Sequence, residues 1–421
     1  MFTRKMIKKY SYHLSILLIA LVWISLFDFM TQMSLQGVMH SDSFSYQESA
    51  KSLYFFCSGN NYRPILMAAI TGFPYLFGSA DAFIFSFSFY VNLLCWLASF
   101  MFLFEILKAF VKPKTAFIFT VLAIFIVGNT AHVFHLLTET IYQFFIVLAF
   151  YLLMKYYKTK EFWYLSLSLS LLLASMLIKP GSKFLALVII LYFIKEIIKN
   201  YKLRSIIFLY GSLLMGLIQC FGMKYQFGNF TISYIDSATY YNYIGSKAMC
   251  IKFDKEYTQK DNPRADYLYS NEAIQQKRIA SEDLKQQLQF NTLNLLKAYV
   301  LDVRENTVSG NSCIYECKNL KRRSHFDFWR IFLFDVTKWQ NRFYTVLGIL
   351  FSIFFLFKTY KKPNLLTFIS FFILYIIVLS GISCGQGDRF HLVTFPFMLA
   401  LLAKQLSDIK RFKPFFEPLQ K

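Results

Sequence analysis

Six ionisable residues stand beside or between long apolar stretches of this chain. They are Asp42 in HSDSFSY, Arg63 in NNYRPIL, Glu139 in LLTETIYQF, Lys179 in LIKPGSK, and Asp388 with Arg389 in GDRFH. Charge near membrane depth is costly, so each calls for a partner, a cavity or a function. Asp42 can act as a general base on a hydroxyl or hold a divalent cation. With Glu48 it can equally serve the first turns of a helix starting near Ser43. Arg63 can clamp a phosphate, while Pro64 opens a helix at its first turn. Glu139 would sit at the outer end of an apolar helix. His132, His135 and Glu139 have a spacing that raises zinc, but the stretch contains a turn and no second histidine motif supports it. Lys179 can snorkel to an interface. Arg389 can pair with Asp388 or hold an anionic lipid headgroup, because a guanidinium matches phosphate through its forked donors.

The elements that would position these groups are apolar helices. Of 421 residues 56% are hydrophobic and 20% aromatic, and the mean hydropathy is +0.42. That balance makes lipid the solvent for much of the chain. Stretches long enough for a spanning helix, about 20 residues, are 14–33, 82–110, 115–129, 140–156, 162–178, 183–198, 205–222, 343–357, 365–383 and 392–406. The third and eighth are short. A basic stretch (Arg4, Lys5, Lys8, Lys9) precedes the first, and no small-residue cleavage site follows, so it reads as an uncleaved signal anchor. The expected fold is an all-α polytopic membrane protein of about ten transmembrane helices.

The net charge of +21 belongs to topology, not to nucleic acid. With the N-terminus in the cytoplasm, the short inner segments collect 22 basic residues against Glu105, Glu161, Glu196, Asp408 and Glu417. Short outer segments and outer helix ends hold only Lys51, Arg63, Lys179, Lys183 and Arg389. This asymmetry places both termini inside a cell inner membrane and all six candidate residues at the outer face.

Three modules are expected: 1–222 with spans one to seven and a first outer loop at 34–81, an extracytoplasmic segment at 223–340, and 341–421 with the last three spans. The first loop divides into two short interfacial helices, 42–56 and 62–77. The 223–340 segment carries 17 Lys/Arg and 13 Asp/Glu, which makes it water-facing. It contains an amphipathic helix within 281–303 on Leu284, Leu288, Leu295 and Leu296. The sequence FDFWRIFLF then leads into span eight as an interfacial stretch, with Trp329 and Trp339 as anchors. Tyr240, Tyr241 and Tyr243 can line a sugar site or pack the segment onto the membrane. Among the cysteines, Cys57, Cys250, Cys313, Cys317 and Cys384 fall on the outer side or its edge. Either Cys313 or Cys317 could pair with Cys250, and unpaired thiols are an equal alternative.

Taken together, these residues resemble the GT-C glycosyltransferase superfamily, in particular its bacterial protein-mannosyltransferase-like and lipid A aminoarabinose-transferase-like members. The first-loop sequence DSFSYQESAKSLYFFCSGNNYRPILMAAITGFPYLFG has the family's outer-loop Asp, interfacial helix and Arg-Pro helix in order. The stretch LLTETIYQFFIVLAFYLL resembles its Thr-Glu at the head of a span. ASMLIKPGSKFLALVIILYF has Lys-Pro where the family often has Arg-Pro, and GDRFHLVTFPFMLALLA resembles its Arg-aromatic entry to a Pro-containing last span. The matches cover much of 36–193 and 385–403.

This resemblance implies a GT-C-like bundle and an inverting sugar transfer at the outer membrane face. The donor would be a polyprenyl-phosphate-linked sugar with its tail in membrane lipid, and the acceptor a glycolipid, polysaccharide or protein of the envelope. Asp42 would be the general base. Arg63, Lys179 and Arg389 would stabilise the departing phosphate, Glu139 would position the sugar or tune Asp42, and Asp388 would belong to the same substrate-binding set. Asp42 stands between His40 and Ser43 without the Asp-Glu or Asp-x-Asp of a metal-dependent first loop. No cofactor is assigned, and a divalent metal stays an alternative. Two other functions remain open from sequence: a Wzy-like polysaccharide polymerase or O-antigen ligase, and a transporter of lipid-linked sugars.

Overall fold

The structure is a computed structural model describing residues 2–37, 41–383 and 385–409, with side chains from residue 10 onward except that of 41. No strand occurs among the described residues. The N-terminal half contains α1 (Phe2–Thr31), α2 (Ser41–Phe56), α3 (Ile65–Thr71), α4 (Asp81–Leu107), α5 (Pro113–Ile124) and α6 (Val127–Val133). It continues with α7 (Glu139–Thr159), α8 (Phe162–Met176), α9 (Lys183–Tyr192), α10 (Ile194–Lys199) and α11 (Ile207–Phe227). The 223–340 segment adds α12 (Ile235–Thr239), a π-helical turn (Tyr240–Gly245), α13 (Ser246–Lys252), α14 (Pro263–Tyr269), α15 (Ala273–Phe290), α16 (Thr292–Val308) and α17 (Ser312–Tyr315). The chain then runs through α18 (Phe326–Thr359), α19 (Leu365–Ser380) and α20 (Phe395–Asp408).

Every expected spanning stretch is helical, but their lengths differ. Five helices among the described residues are long and apolar enough to cross a membrane: Tyr10–Thr31 of α1, α4, α7, Arg204–Phe227 around α11, and α18. A sixth crossing arises if α5 and α6, bent by 62°, form one span. Three others, α8, Pro180–Tyr192 and α19, are apolar but shorter. At 1.5 Å per residue, the 15-residue α8 covers about 22 Å, less than a hydrocarbon core of about 30 Å.

The helices pack as membrane helices do. Large apolar side chains point outward, including Leu18, Leu21, Leu26 and Phe29 on α1 and Ile207, Leu214, Ile218 and Phe221 on α11. Small polar residues turn inward. Ser168 donates to the Ala149 carbonyl at 2.8 Å, joining α8 to α7. The hydrophobic part of α7 is 67% buried against 28% for α1, so α7 is a central post and α1 a lipid-facing one.

The 223–340 segment is bound to the 34–81 loop and to the ends of the long helices. Tyr62 donates to Gln276 at 2.6 Å, Gln32 to Asn319 at 2.9 Å, and Tyr299 to the Val378 carbonyl at 2.6 Å. Two expectations change here. The helix expected within 281–303 is two helices, because Asn291 leaves helical geometry at φ −144°, ψ 22° between α15 and α16. The 340/341 boundary falls inside the unbroken 34-residue α18, which at about 50 Å outruns the hydrocarbon core. Cys57, Cys250, Cys313 and Cys317 are all free thiols; Cys384 lies outside the described residues, as do the basic residues from 410 onward.

Candidate active site

Five of the six candidate residues meet in one alternating chain of charge. Asp42 begins the first turn of α2, where the helix's positive end favours a carboxylate. Its Oδ1 accepts from Arg63 Nη2 at 2.5 Å and its Oδ2 from Arg389 Nη1 at 2.6 Å. Arg389 Nε donates to Glu139 Oε1 at 2.7 Å, and Lys179 Nζ donates to the same oxygen at 3.2 Å. The order is Arg63, Asp42, Arg389, Glu139, Lys179. Cations and anions alternate, with one positive charge in excess.

Local structure accounts for each placement. Pro64, at φ −65°, precedes α3 and opens it, and that turn aims Arg63 back at α2. There Arg63 also donates to Ser45 Oγ at 2.8 Å and Tyr46 OH at 3.1 Å, with its guanidinium over the Tyr46 ring at 4.3 Å. Asp42, Ser45 and Tyr46 are spaced i, i+3, i+4, which puts them on one helical face. Glu139 heads α7 and is 1% exposed, whereas Asp42 is 29% exposed. Asp42 is therefore the carboxylate that a bound molecule can reach. Lys179 does not snorkel outward: its ammonium lies over the Phe390 ring at 5.0 Å as well as beside Glu139. Burial lowers its pKa, Glu139 partly restores it, and Arg389 pushes it down again. Burial also opposes charge on Arg389, but Glu139 and Asp42 outweigh it and hold its pKa above the ordinary value.

Of the two readings of Arg389, its pairing with Asp388 does not form. Both lie in one tight 3-10 turn, Gly387–Arg389, where neighbouring side chains diverge by about 120°. Arg389 turns into the cluster and Asp388 turns away, accepting from Asn311 Nδ2 at 3.0 Å. Asn311 also contacts His132 Nε2 at 3.2 Å. Gly128 makes room for this carboxyl, since a Cβ there would overlap Asp388 Oδ2. Burial pushes the Asp388 pKa up to about 7; the Asn311 hydrogen bond opposes the rise and Glu139 adds to it. His132 is thus engaged with the support of this turn. Among the described residues no group of three or more His, Cys, Asp or Glu is gathered for a metal ion.

The cluster floors a cavity of about 490 Å³. Asp42, Arg63, Glu139, Lys179 and Arg389 line it, Asp388 does not, and the 223–340 segment roofs it with Thr239, Tyr240, Tyr243, Leu284 and Leu295. Tyr241 leaves the cavity for a small core with Ala238 and Leu268. Apolar walls come from Ile178, Phe184, Leu379, Ile382 and Phe390. One rim is tied by Lys183 on α9 and Asp236 on α12, 2.9 Å apart. Sequence reasoning missed this pair, Asn311, and Gln386, which accepts from Arg389 Nη1 at 3.4 Å. Asn311 and Asp236 sit in the 223–340 segment, where no motif marked them. The i, i+3, i+4 set in DSFSY was a usable signal for Ser45 and Tyr46.

No protein-family model matches the chain, and no curated protein matches it. Solved structures of archaeal oligosaccharyltransferase align with 96% of it. One is the Archaeoglobus fulgidus enzyme tethered by a disulfide to an acceptor peptide containing the NVT sequon, at 13% identity and TM-score 0.47. Another is AglB of the same organism in complex with an inhibitory peptide and a dolichol-phosphate, at 12% identity and TM-score 0.47. The chain spans about half the length of these proteins, 50% and 51%.

Proposed function

We propose that this chain is a membrane glycosyltransferase that moves a sugar from a polyprenyl-phosphate donor to an envelope acceptor at the outer face of the membrane, with inversion. The observation that carries the reading is the sharing of Arg389 between Asp42 and Glu139 at the floor of a cavity with apolar walls.

The acceptor hydroxyl oxygen attacks the anomeric carbon as its proton passes to Asp42. The bond from that carbon to the phosphate oxygen breaks, and polyprenyl phosphate leaves with the electron pair. The donor is a phosphodiester of charge −1 and the leaving lipid phosphate approaches −2. The cluster's excess is +1 while Asp42 is ionised and +2 once Asp42 has taken the proton. Cluster and phosphate therefore stay complementary through the transfer, a use of fixed charge that is strongest where water is excluded.

Within the cavity Asp42 acts as counter-ion to Arg63 and Arg389. An incoming phosphate would take over part of those guanidinium bonds and expose a carboxylate lone pair to the acceptor. Glu139, buried and bonded by two cations, keeps Arg389 and Lys179 in place. The lipid tail has an apolar route: Phe184 lines the cavity, and Leu187 and Leu191 continue from it as an exposed stripe on α9. No metal is assigned at Asp42: both of its carboxylate oxygens accept from guanidinium groups, whose like charge opposes a cation beside them.

The reading is tested by polyprenyl-phosphate binding to the purified full chain. Arg389→Ala and Arg63→Ala, checked for monodisperse elution, are expected to weaken it at least tenfold, in keeping with loss of a charge-assisted bond of about 1.5–3 kcal/mol. Equal binding by both variants would overturn the phosphate assignment.

A further inference from the structure

A second recess, of about 890 Å³, opens where α18, α19 and α20 meet. It lies at the other end of the bundle from the charged cluster: Arg389 stands six residues before the start of α20 at Phe395, whereas this recess takes Lys404 and Asp408 from that helix's last turns. Lys358, Lys361 and Lys362 come from the end of α18 and the turn after it. The floor is apolar, with Phe355 fully buried and Leu366 7% exposed.

Charge within the recess is unevenly satisfied. Asp408 binds two of the four lysines, Lys358 through Oδ2 at 2.8 Å and Lys404 through Oδ1. Lys361 and Lys362 are exposed and form no ion pair among the described residues. The recess thus carries a net +3 beside an apolar floor. Phe354 and Phe357 on α18 are exposed nearby, 44% and 76%, and offer acyl chains a surface along the helix. A solvated turn of lysines would carry the charge without the recess or the floor. Basic pockets between membrane helices on the positively flanked side are suited to phosphate-bearing lipid headgroups, with each lysine adding to the attraction.

The geometry points to a binding site for an anionic phospholipid headgroup between α18, α19 and α20, in the leaflet opposite the candidate active site. Lys361 and Lys362 meet the phosphate, Lys358 and Lys404 share it with Asp408, and the aliphatic lysine stems pack on the floor. This assignment is independent of the glycosyltransferase reading.

The test is native mass spectrometry of the detergent-purified full chain, with phosphatidylglycerol and phosphatidylcholine supplied equally. The unmodified protein is expected to retain phosphatidylglycerol preferentially. Lys361→Ala/Lys362→Ala is expected to lower that retention roughly tenfold. Asp408→Asn, which frees two lysines, should raise it. Lys195→Ala/Lys199→Ala on α10, another basic pair outside the recess, should leave it unchanged. Millimolar inorganic phosphate should not displace the lipid. The site is overturned if the Lys361/Lys362 variant retains phosphatidylglycerol as well as the parent, if the α10 variant loses as much, or if inorganic phosphate alone occupies the recess.

Discussion

Arg389 bonds both carboxylates of the cluster, Asp42 through Nη1 and Glu139 through Nε. Arg389→Ala would leave Glu139, 1% exposed, with Lys179 as the other cation of the cluster bonded to it, at 3.2 Å. Breaking a buried pair from one side costs about 3–5 kcal/mol, so a marked fall in thermal stability in detergent is expected alongside lost binding. Arg389→Lys should recover part of the stability but little phosphate binding, since a single ammonium lacks the fork. Asp388 has the opposite character. Its carboxyl is pushed up to about 7, so the folded state holds this proton more tightly than the unfolded chain, whose Asp titrates near 3.9. Its contribution is most favourable below about pH 4, declines as pH rises towards 7, and levels off beyond. Asp388→Asn should therefore be neutral near pH 4 and more stable than the parent at pH 8, on the order of 4 kcal/mol, by thermal unfolding at both values. All six residues were legible in the sequence as costly charges. That Arg389 and its neighbour Asp388 part company was not, because it depends on a 3-10 turn and on Asn311, 77 residues away in sequence.

At the scale of elements, the cluster depends on how α2, α3, α7 and the Gly387–Arg389 turn meet. The turn is seated by close backbone approach. Gly387 has φ +58°, a conformation that suits glycine, and a Cβ there would strike the Gly310 carbonyl. A Cβ at Gly128 would meet Asp388. Gly128→Ala is therefore expected to displace the turn and Arg389, reducing polyprenyl-phosphate binding at least tenfold while the protein still inserts and elutes as a single species. Polyprenyl-phosphate binding and gel filtration on the same sample separate those effects. The first-loop helices were readable because Pro64 and the apolar run after it announce α3. The break at Asn291 was not, since the leucine spacing continues across it and tertiary contacts decide the bend: Asn291 Nδ2 donates to Gln287 Oε1 at 3.1 Å and to the Ala248 carbonyl at 3.4 Å. Hydropathy marked the apolar runs but not the helix lengths: α8 has 15 residues, where a crossing takes about 20.

For the whole molecule, the charge asymmetry makes orientation testable without knowing a substrate. Cys57 is an exposed free thiol between α2 and α3, on the face assigned to the outside. A membrane-impermeant maleimide should label it in intact cells at the level seen after permeabilisation, and labelling only after permeabilisation would invert the topology. The roof over the site belongs to the 223–340 segment, whose sequence carries no motif for it; Tyr240 and Tyr243 reach the cavity while Tyr241 does not, and only the π-helical turn separates them. The most direct measurement is the envelope glycan profile of cells relying on Asp42→Asn, with the variant's membrane level and polyprenyl-phosphate binding measured alongside. The expected result is normal abundance and retained lipid-phosphate binding with product glycan lost by a factor of at least about 10². An Asp42→Asn protein that builds the glycan at the parent's rate would contradict the assignment of Asp42 as the base.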